Sequence, residues 1–534
     1  MSYIEINTIP EAVIIQTGQG WIRPDRNSTN HWVYGDIEIK MEENAGQLDI
    51  HVKARDSSVK RVVLKWNRNF GKDVRLLGDH WERGYGDLEW RGLVPERVMP
   101  WYFLIHDGEA VHGYGVKTGP KAMCFWQVNE TYISLCLDVR CGGSGVVLNG
   151  KTLRAASVIT RRGYDNESSF KAAREFCRLL CEKPLMPKQP VYGGNNWYYA
   201  YGKSSHDNII EDSRLISSLA FSSRNRPFML IDDGWQLCHG KSFNGGPWHS
   251  GNYLFPDMQR LAYEMKKNGV KPGIWFRPLL TSEAVPDCCL MPDNRFKNRD
   301  CGQFLDPSNP YVLELVGKDV ERLVSWGYEI IKHDFSTYDI LGRWGFEMHA
   351  ELTNDGWHFS DRSKTTAEII ADLYGVIRKA AGDIPIIGCN AVSHIAAGLF
   401  EIQRTGDDTS GMHWERTRKM GINTLAFRMP QHGTFYASDA DCAGITNNIP
   451  WALNEQWLNL LSQSGTPLFV SADPTTVDKE QKDAISKAFE IASRDFPIGE
   501  PLDWMQTTCP RRWLLNGEVV EFNWFGEDKA DYCT

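Results

Sequence analysis

The chain has 534 residues, 42% hydrophobic and 24% charged, an ordinary globular composition that excludes a largely disordered protein. Its 59 Lys and Arg against 68 Asp and Glu leave a net charge of −9. That balance argues against a nucleic-acid partner, which would need basic stripes to neutralise phosphates. Tryptophan stands out at 20 residues against 14 methionines, and its flat apolar face stacks well on a sugar ring.

At the N-terminal end, MSYIEINTIPEAVIIQTGQG lacks the basic region and apolar core of a signal peptide. No uninterrupted apolar run reaches the roughly 18 residues needed to span a bilayer, so no membrane partner is expected. From there to about residue 185, short alternating runs are separated by Gly and Asp/Asn clusters. They are Leu48 to Val52, Val59 to Leu64, Trp101 to Ile105, Ala122 to Val128 and Thr131 to Val139. Short strands with regular turn signals predict a β-sandwich. A helix is predicted at Ser168 to Cys181, with Cys177 and Cys181 as buried thiols rather than a metal clip. Pro184, Pro187 and Pro190 then break the chain. The first domain is therefore placed at 1–185, including this linker helix.

Beyond Val191 the rhythm changes to strand-like runs ending in polar residues, alternating with amphipathic helices. The runs are 191–199, 227–235, 271–278, 328–335, 385–390, 401–408, 432–441 and 466–473. The helices between them are Asp207–Ser222, Asp257–Asn268, Pro310–Trp326, Thr365–Ala381, His413–Phe427 and Trp451–Gln463. Eight such units predict an α/β fold, a (β/α)8 TIM barrel over 186–490. An open doubly wound sheet would carry a glycine-rich phosphate loop, and neither GxGxxG nor a Walker motif occurs. Residues 491–534 return to short strand-like runs and form a short C-terminal β segment. The expected fold class is thus a barrel with an N-terminal β-sandwich and a short C-terminal β domain.

In such barrels the C-terminal strand ends build the active site. Those ends carry Trp197, then Asp232, Asp233 and Trp235, then Trp275 and Arg277, then Lys332 and Asp334. They continue with Cys389 and Asn390, then Arg404, Asp407 and Asp408, then Asp439 and Asp441. Metal hydrolases on this fold usually add paired histidines as HxH or HExxH. Here no strand end carries HxH, and neither a metal nor another cofactor is expected. Carboxylates beside Trp platforms suit glycoside cleavage, in which two carboxyls flank the scissile bond. The other carboxylates can accept hydrogen bonds from vicinal sugar hydroxyls. Asp334 is the strongest nucleophile candidate, because Lys332 shares its face of the strand and a neighbouring cation keeps a carboxylate ionised.

IDDGWQ (231–236), GIWFRP (273–278), IIKHDF (330–335), IIGCN (386–390) and RTGDD (404–408), in this order and spacing, resemble glycoside hydrolase family 36. The likeness is greatest to its plant alkaline α-galactosidase and raffinose-synthase-like branch. The resemblance implies a retaining α-galactosidase with Asp334 as nucleophile and Asp407 as acid/base, Asp408 being the competitor for that role. It also implies that Asp232 and Asp233 hold O4 and O6 of galactose, and that Lys332 and Arg404 contact ring hydroxyls. Trp197 would lie against the sugar face, and Cys389 with Asn390 would sense the 2-position. Trp235, Trp275 and Asp441 complete the substrate-binding set. The implied partner is an oligosaccharide or glycoconjugate ending in an α-galactose-like sugar.

Several residues depart from the family pattern. His333 stands where many bacterial relatives have Trp, Arg277 where a familiar pattern has Glu, and GDDTS replaces SDNTD. An insertion from about Ser336 to Asp361 is rich in Trp, His and Asp, and would wall the leaving-group side or contact a neighbouring subunit. Alternatives on the same machinery are an α-N-acetylgalactosaminidase, a β-L-arabinopyranosidase and a galactosyl transglycosylase. A non-catalytic sugar-binding protein is the alternative of another class. Thirteen cysteines without a CxxC pair fit free thiols in a reducing compartment. The expected location is cytoplasmic as the chain stands, and periplasmic or secreted if a signal peptide has been removed.

Overall fold

The computed structural model describes residues 5–67, 73–220, 224–296 and 301–526. Strands between residues 12 and 161 bury alternate side chains, as in Ala12–Thr17, and assemble into two antiparallel sheets of six and eight strands. Val59–Asn67 and Tyr132–Asp138 pair at the centre of the first. Gln47–Ala54 and Thr152–Arg161 pair within the second. Phe103 of the larger sheet packs on Trp126 of the smaller, ring centres 5.5 Å apart, so the two enclose one apolar core. The predicted linker helix is Ser169–Leu180, capped by Ser168. It lies on the strand Val111–Val116 because Gly113 leaves room: a Cβ there would meet the Phe176 ring at 2.2 Å.

The barrel strands are β1 (Tyr192–Asn195), β2 (Phe228–Ile231), β3 (Lys271–Phe276), β4 (Ile330–His333), β5 (Ile386–Gly388) and β6 (Ile402–Arg404). They continue with β7 (Ala437–Asp439), β8 (Cys442–Ile445) and β9 (Leu468–Ala472). All pair in parallel, in the order β7-β6-β5-β4-β3-β2-β1-β9-β8. β7 and β8 are two halves of one kinked strand. The first half pairs with β6 and the second with β9, so the kink closes the ring. Asp441, at φ 71, makes the kink. Inside, Phe228, Leu230, Ile330, Ile387, Ile402, Ala437 and Phe469 form a separate apolar plug, the filled interior expected of this architecture.

Most predicted helices appear within a few residues of their expected bounds. His206–Leu219 is shorter than expected, and residues 221 and 222 of that expectation lie outside the described residues. The expected single helix His413–Phe427 is instead Trp414–Thr417, a wide π turn over Arg418–Asn423, and Thr424–Arg428. Gly421 sits in the wide turn because a Cβ there would come within 2.8 Å of the Trp457 ring. The turn ends at Asn423, whose amide brackets the backbone of Leu88: Nδ2 donates to Leu88 O at 2.8 Å and Oδ1 accepts from Leu88 N at 3.2 Å. The C-terminal segment is a three-stranded sheet of Glu500–Pro501, Arg512–Leu515 and Glu518–Glu521.

Candidate active site

β4 is buried along its whole length, and its alternation sorts the side chains between two faces. Lys332 points into the barrel mouth, while His333 faces outward against Tyr374 and Phe400. Neither ring nitrogen of His333 has a hydrogen-bond partner among the described residues. Burial holds the ring neutral, its pKa lowered to about 4. Lys332 Nζ donates to Asp232 Oδ2 at 2.7 Å, and Asn195 Nδ2 donates to the same oxygen at 2.8 Å. Burial works against the ammonium, but the carboxylates around it, Asp232 foremost, hold it charged well above the ordinary lysine range.

Asp334 follows at the strand end. Phe335 next to it has φ 64, a left-handed conformation that costs a non-glycine residue about 1–3 kcal/mol. The strained turn aims the Phe335 N–H back at Asp334 Oδ1, 2.8 Å away. The Trp275 indole N–H donates to Oδ2 at 3.0 Å. Burial would raise the Asp334 pKa, but Lys332, Arg83 and the Trp275 hydrogen bond outweigh it. The carboxyl ends below its usual value and stays ionised.

Across the mouth, the adjacent pair after β6 splits. Asp407 is clamped, with Arg83 Nη2 2.7 Å from Oδ1 and Arg416 Nη2 2.8 Å from Oδ2. Asp408 points the other way, toward Arg404 Nη2 at 3.3 Å. Its side chain is 36% exposed at the pocket opening, against 18% for Asp407. Its charge acts directly on Asp334. Burial pushes the Asp408 carboxyl up, yet Arg404, Arg83, Lys332 and Arg416 together bring it down to about 2. The expectation that Asp407 is the acid/base does not fit this arrangement. Both of its oxygens are held by guanidinium groups, and its neighbour is the one that faces Asp334.

The other expected sugar-binding residues make these contacts within the protein. Trp235 is fully buried among Trp248 and Trp326, with its indole N–H on Trp275 O at 3.0 Å. It supports β3 from behind. Asn390 accepts from Tyr338 N at 3.0 Å and donates to Glu82, so its amide ties loops together instead of facing the pocket. Asp441 Oδ2 receives Arg404 Nη2 at 2.7 Å, Thr409 N at 2.8 Å, and the Tyr198 hydroxyl. It aims Arg404. Asp233 takes Gln236 Nε2 at 2.7 Å on one oxygen and Asn244 Nδ2 at 3.2 Å on the other, with its pKa raised by burial to about 6. Trp275 touches the Asp334 carboxylate, and Trp197 stands half-buried beyond β1, edge-on to Tyr201 at 5.7 Å. Cys389 is fully buried, its Sγ 3.4 Å from Arg404 Nη1 and 3.6 Å from Arg83 Nη1.

Arg83, with Glu82 fully buried beside it, is a residue at the barrel mouth that the sequence does not single out, whereas Trp344 lies in the insertion expected to wall the pocket. The segment 79–92 leaves the sandwich and docks on the barrel mouth. Asp79 accepts from Arg428 and Gln431, both at 2.8 Å. Gly84 bridges to Gly406 in parallel, donating to Thr405 O at 2.8 Å and accepting from Asp407 N at 2.9 Å. Arg83 thereby enters the pocket, its guanidinium 5.5 Å above the Trp344 ring of the 336–361 insertion. That insertion packs on the sandwich, with Glu351 held by Arg61 and Arg140. The signal in the sequence was HWERGYG (80–86), where charge, aromatics and two close-approach glycines crowd a stretch between the expected strands. Among the described residues, no three His, Cys, Asp or Glu side chains are grouped to hold a metal.

No model of a known protein family matches the chain. Solved structures do. The α-galactosidase TtGalA from Thermus thermophilus, bound to p-nitrophenyl α-D-galactopyranoside, superposes with a TM-score of 0.61 at 16% identity, over 95% of this chain and 98% of that one. The GH36 α-galactosidase AgaA from Geobacillus stearothermophilus gives 0.63 at 14% identity, covering 94% and 79%. The galactosidase domain of the α-galactosidase-sucrose kinase AgaSK gives 0.61 at 13% identity, covering 90% and 74%. The chain shares their fold, a barrel with β domains.

Proposed function

We propose that the protein is a retaining, exo-acting glycoside hydrolase for terminal α-linked galactose. The observation that carries the proposal is the pair of unequal carboxylates across one pocket. Asp334 is held ionised by Lys332 and two N–H donors, and Asp408 faces it from the open side. Asp408, ionised in the free protein, has to take up a proton when the glycoside binds. Asp334 then attacks the anomeric carbon as Asp408 gives that proton to the departing oxygen, forming a glycosyl ester and a free alcohol. Asp408 then takes a proton from water, which attacks the ester and releases the sugar with its configuration retained. Loss of the Asp334 charge in the ester removes a repulsion that raises the Asp408 pKa, so the same group becomes a base when one is needed.

The Lys332–Asp232 pair offers a donor and an acceptor to adjacent ring hydroxyls, the chemistry needed to read an axial O4. The solved structures sharing the fold include complexes with stachyose and raffinose, which supports an α-galactoside of that kind. The test is nitrophenol release from paired α-galactoside and α-N-acetylgalactosaminide substrates by wild type and Asp334→Ala. Galactoside turnover that vanishes in the variant is the expected result. Preference for the acetamido sugar would keep the mechanism and change the substrate. No turnover of any aryl glycoside by folded wild type would sink the proposal.

A further inference from the structure

The docked segment does more than cover the barrel. Arg83 is almost fully buried, reaches Asp407 at 2.7 Å and Asp408 at 4.0 Å, and lies over Trp344. The backbone next to it is fixed on both sides of Gly406, Gly84 N donating to Thr405 O and Gly84 O accepting from Asp407 N. A Cβ on Gly84 would come within 3.1 Å of Thr424 and one on Gly86 within 2.6 Å of Lys419. The approach is therefore as close as backbone allows. Without Arg83, Asp407 would keep only Arg416, which is 42% exposed, and two adjacent carboxylates would be free to swap roles.

We infer that Arg83, delivered from the sandwich, is a positioning residue of the catalytic pair: it pins Asp407 outward and so leaves Asp408 as the group facing Asp334. The inference rests on the proposed glycosidase reading. It makes the sandwich and barrel one catalytic unit, which the strand-end motifs alone do not reveal.

A consequence for pH follows from the charges around the two carboxyls. Asp334 is faced by Lys332 on its own strand, Arg83 from the docked segment, Asp408 beyond β6, Trp275 on β3 and Cys389 beyond β5. Asp408 is faced by Arg404 on β6, Arg83, Lys332 on β4, Arg416 on the helix after β6, Asp334, and Tyr198 after β1. Arg83 lowers both carboxyls. Removing it raises both, so the nucleophile ionises later and the acid keeps its proton longer. Both limbs of the pH–rate profile then move to higher pH.

The experiment compares wild type, Arg83→Met and Arg83→Lys in the full chain with p-nitrophenyl α-galactopyranoside across pH. Melting temperatures are recorded alongside. Arg83→Met is expected to lose about 100-fold in kcat, the scale of a small misplacement of reacting groups, with KM within threefold. Both limbs should move alkaline. Arg83→Lys should recover the pH profile and part of kcat, because it restores charge without the fork. Variants with wild-type kcat and an unmoved profile would overturn the inference. So would a fall in melting temperature with an unchanged profile, the mark of a purely structural role. Should Arg83→Met fail to fold, Arg83→Lys with Asp407→Asn makes the same comparison from the barrel side. Wild type inactive on every aryl glycoside would remove the glycosidase reading, and the Arg83 role with it. Active wild type with indifferent variants would remove the Arg83 role alone.

Discussion

Two pairs of adjacent aspartates stand on opposite sides of the pocket, and they are used in opposite order. After β2, the first residue, Asp232, meets Lys332 in the pocket, and the second, Asp233, is bound by loop amides. After β6, the first residue, Asp407, is clamped by arginines, and the second, Asp408, faces the pocket. The sequences IDDG and GDDT contain nothing that distinguishes these orders. What does is the company each carboxylate keeps. A lysine from β4 draws Asp232 inward, and an arginine from a different domain draws Asp407 outward.

The largest break in this comparison should come from the β6 pair. Asp408→Asn is expected to lower kcat by about 10²–10⁴-fold, the usual worth of a general acid, with the loss smaller for dinitrophenyl than for alkyl leaving groups. Asp407→Asn should cost at least tenfold less and show no such dependence on leaving group. Steady-state kinetics on a leaving-group series checks both. If the two variants exchange these behaviours, the assignment is reversed.

The β2 pair should give smaller effects of a different kind. Asp232→Asn leaves the Lys332 ammonium buried without its carboxylate, so KM should rise by about 10–100-fold, the cost of breaking a charge-assisted contact. Asp233→Asn should change KM by no more than about threefold, but it should alter how stability depends on pH. In the folded protein the Asp233 pKa is about 6, above the ordinary carboxyl value near 4. Its stabilising contribution is therefore fully present below pH 4 and lost as pH rises through 6. The variant should flatten the unfolding curve between pH 4 and 6 by about 1–3 kcal/mol. Asp408, lowered to about 2, has the opposite sign: its contribution is present above pH 4 and lost as pH falls through 2. Chemical denaturation at a series of pH values separates the two, and identical slopes for wild type and Asp233→Asn would contradict the account.

Most of the barrel was legible because its strands are short apolar runs ending in polar residues, a pattern that local residue types dictate. The placing of Lys332 beside Asp334 was legible for the same reason: they lie two apart at the end of one strand, and the period of a strand puts them on one face. The kink at Asp441 was not, since a left-handed aspartate inside a strand is set by ring closure. Trp235 looked like a sugar platform because tryptophan serves both platforms and cores. Only the packing of Trp248 and Trp326 around it decides for the core. The partners of Asn390 were not legible, because Tyr338 and Glu82 lie 52 and 308 residues away in sequence. The different surroundings of Asp407 and Asp408 were hidden for that reason too. They depend on Arg83, more than three hundred residues upstream, in a stretch whose only local signal was an unusual density of charge and glycine.

The most direct test of the central claim, that Asp334 and Asp408 divide the chemistry, is azide rescue of Asp408→Gly with a dinitrophenyl α-galactoside. Product configuration is read by NMR. With the nucleophile intact and the acid/base absent, azide attacks the glycosyl-enzyme, and the account predicts recovered turnover giving the α-galactosyl azide. Recovery of Asp407→Gly in place of Asp408→Gly, or a β-configured azide from Asp408→Gly, would contradict it.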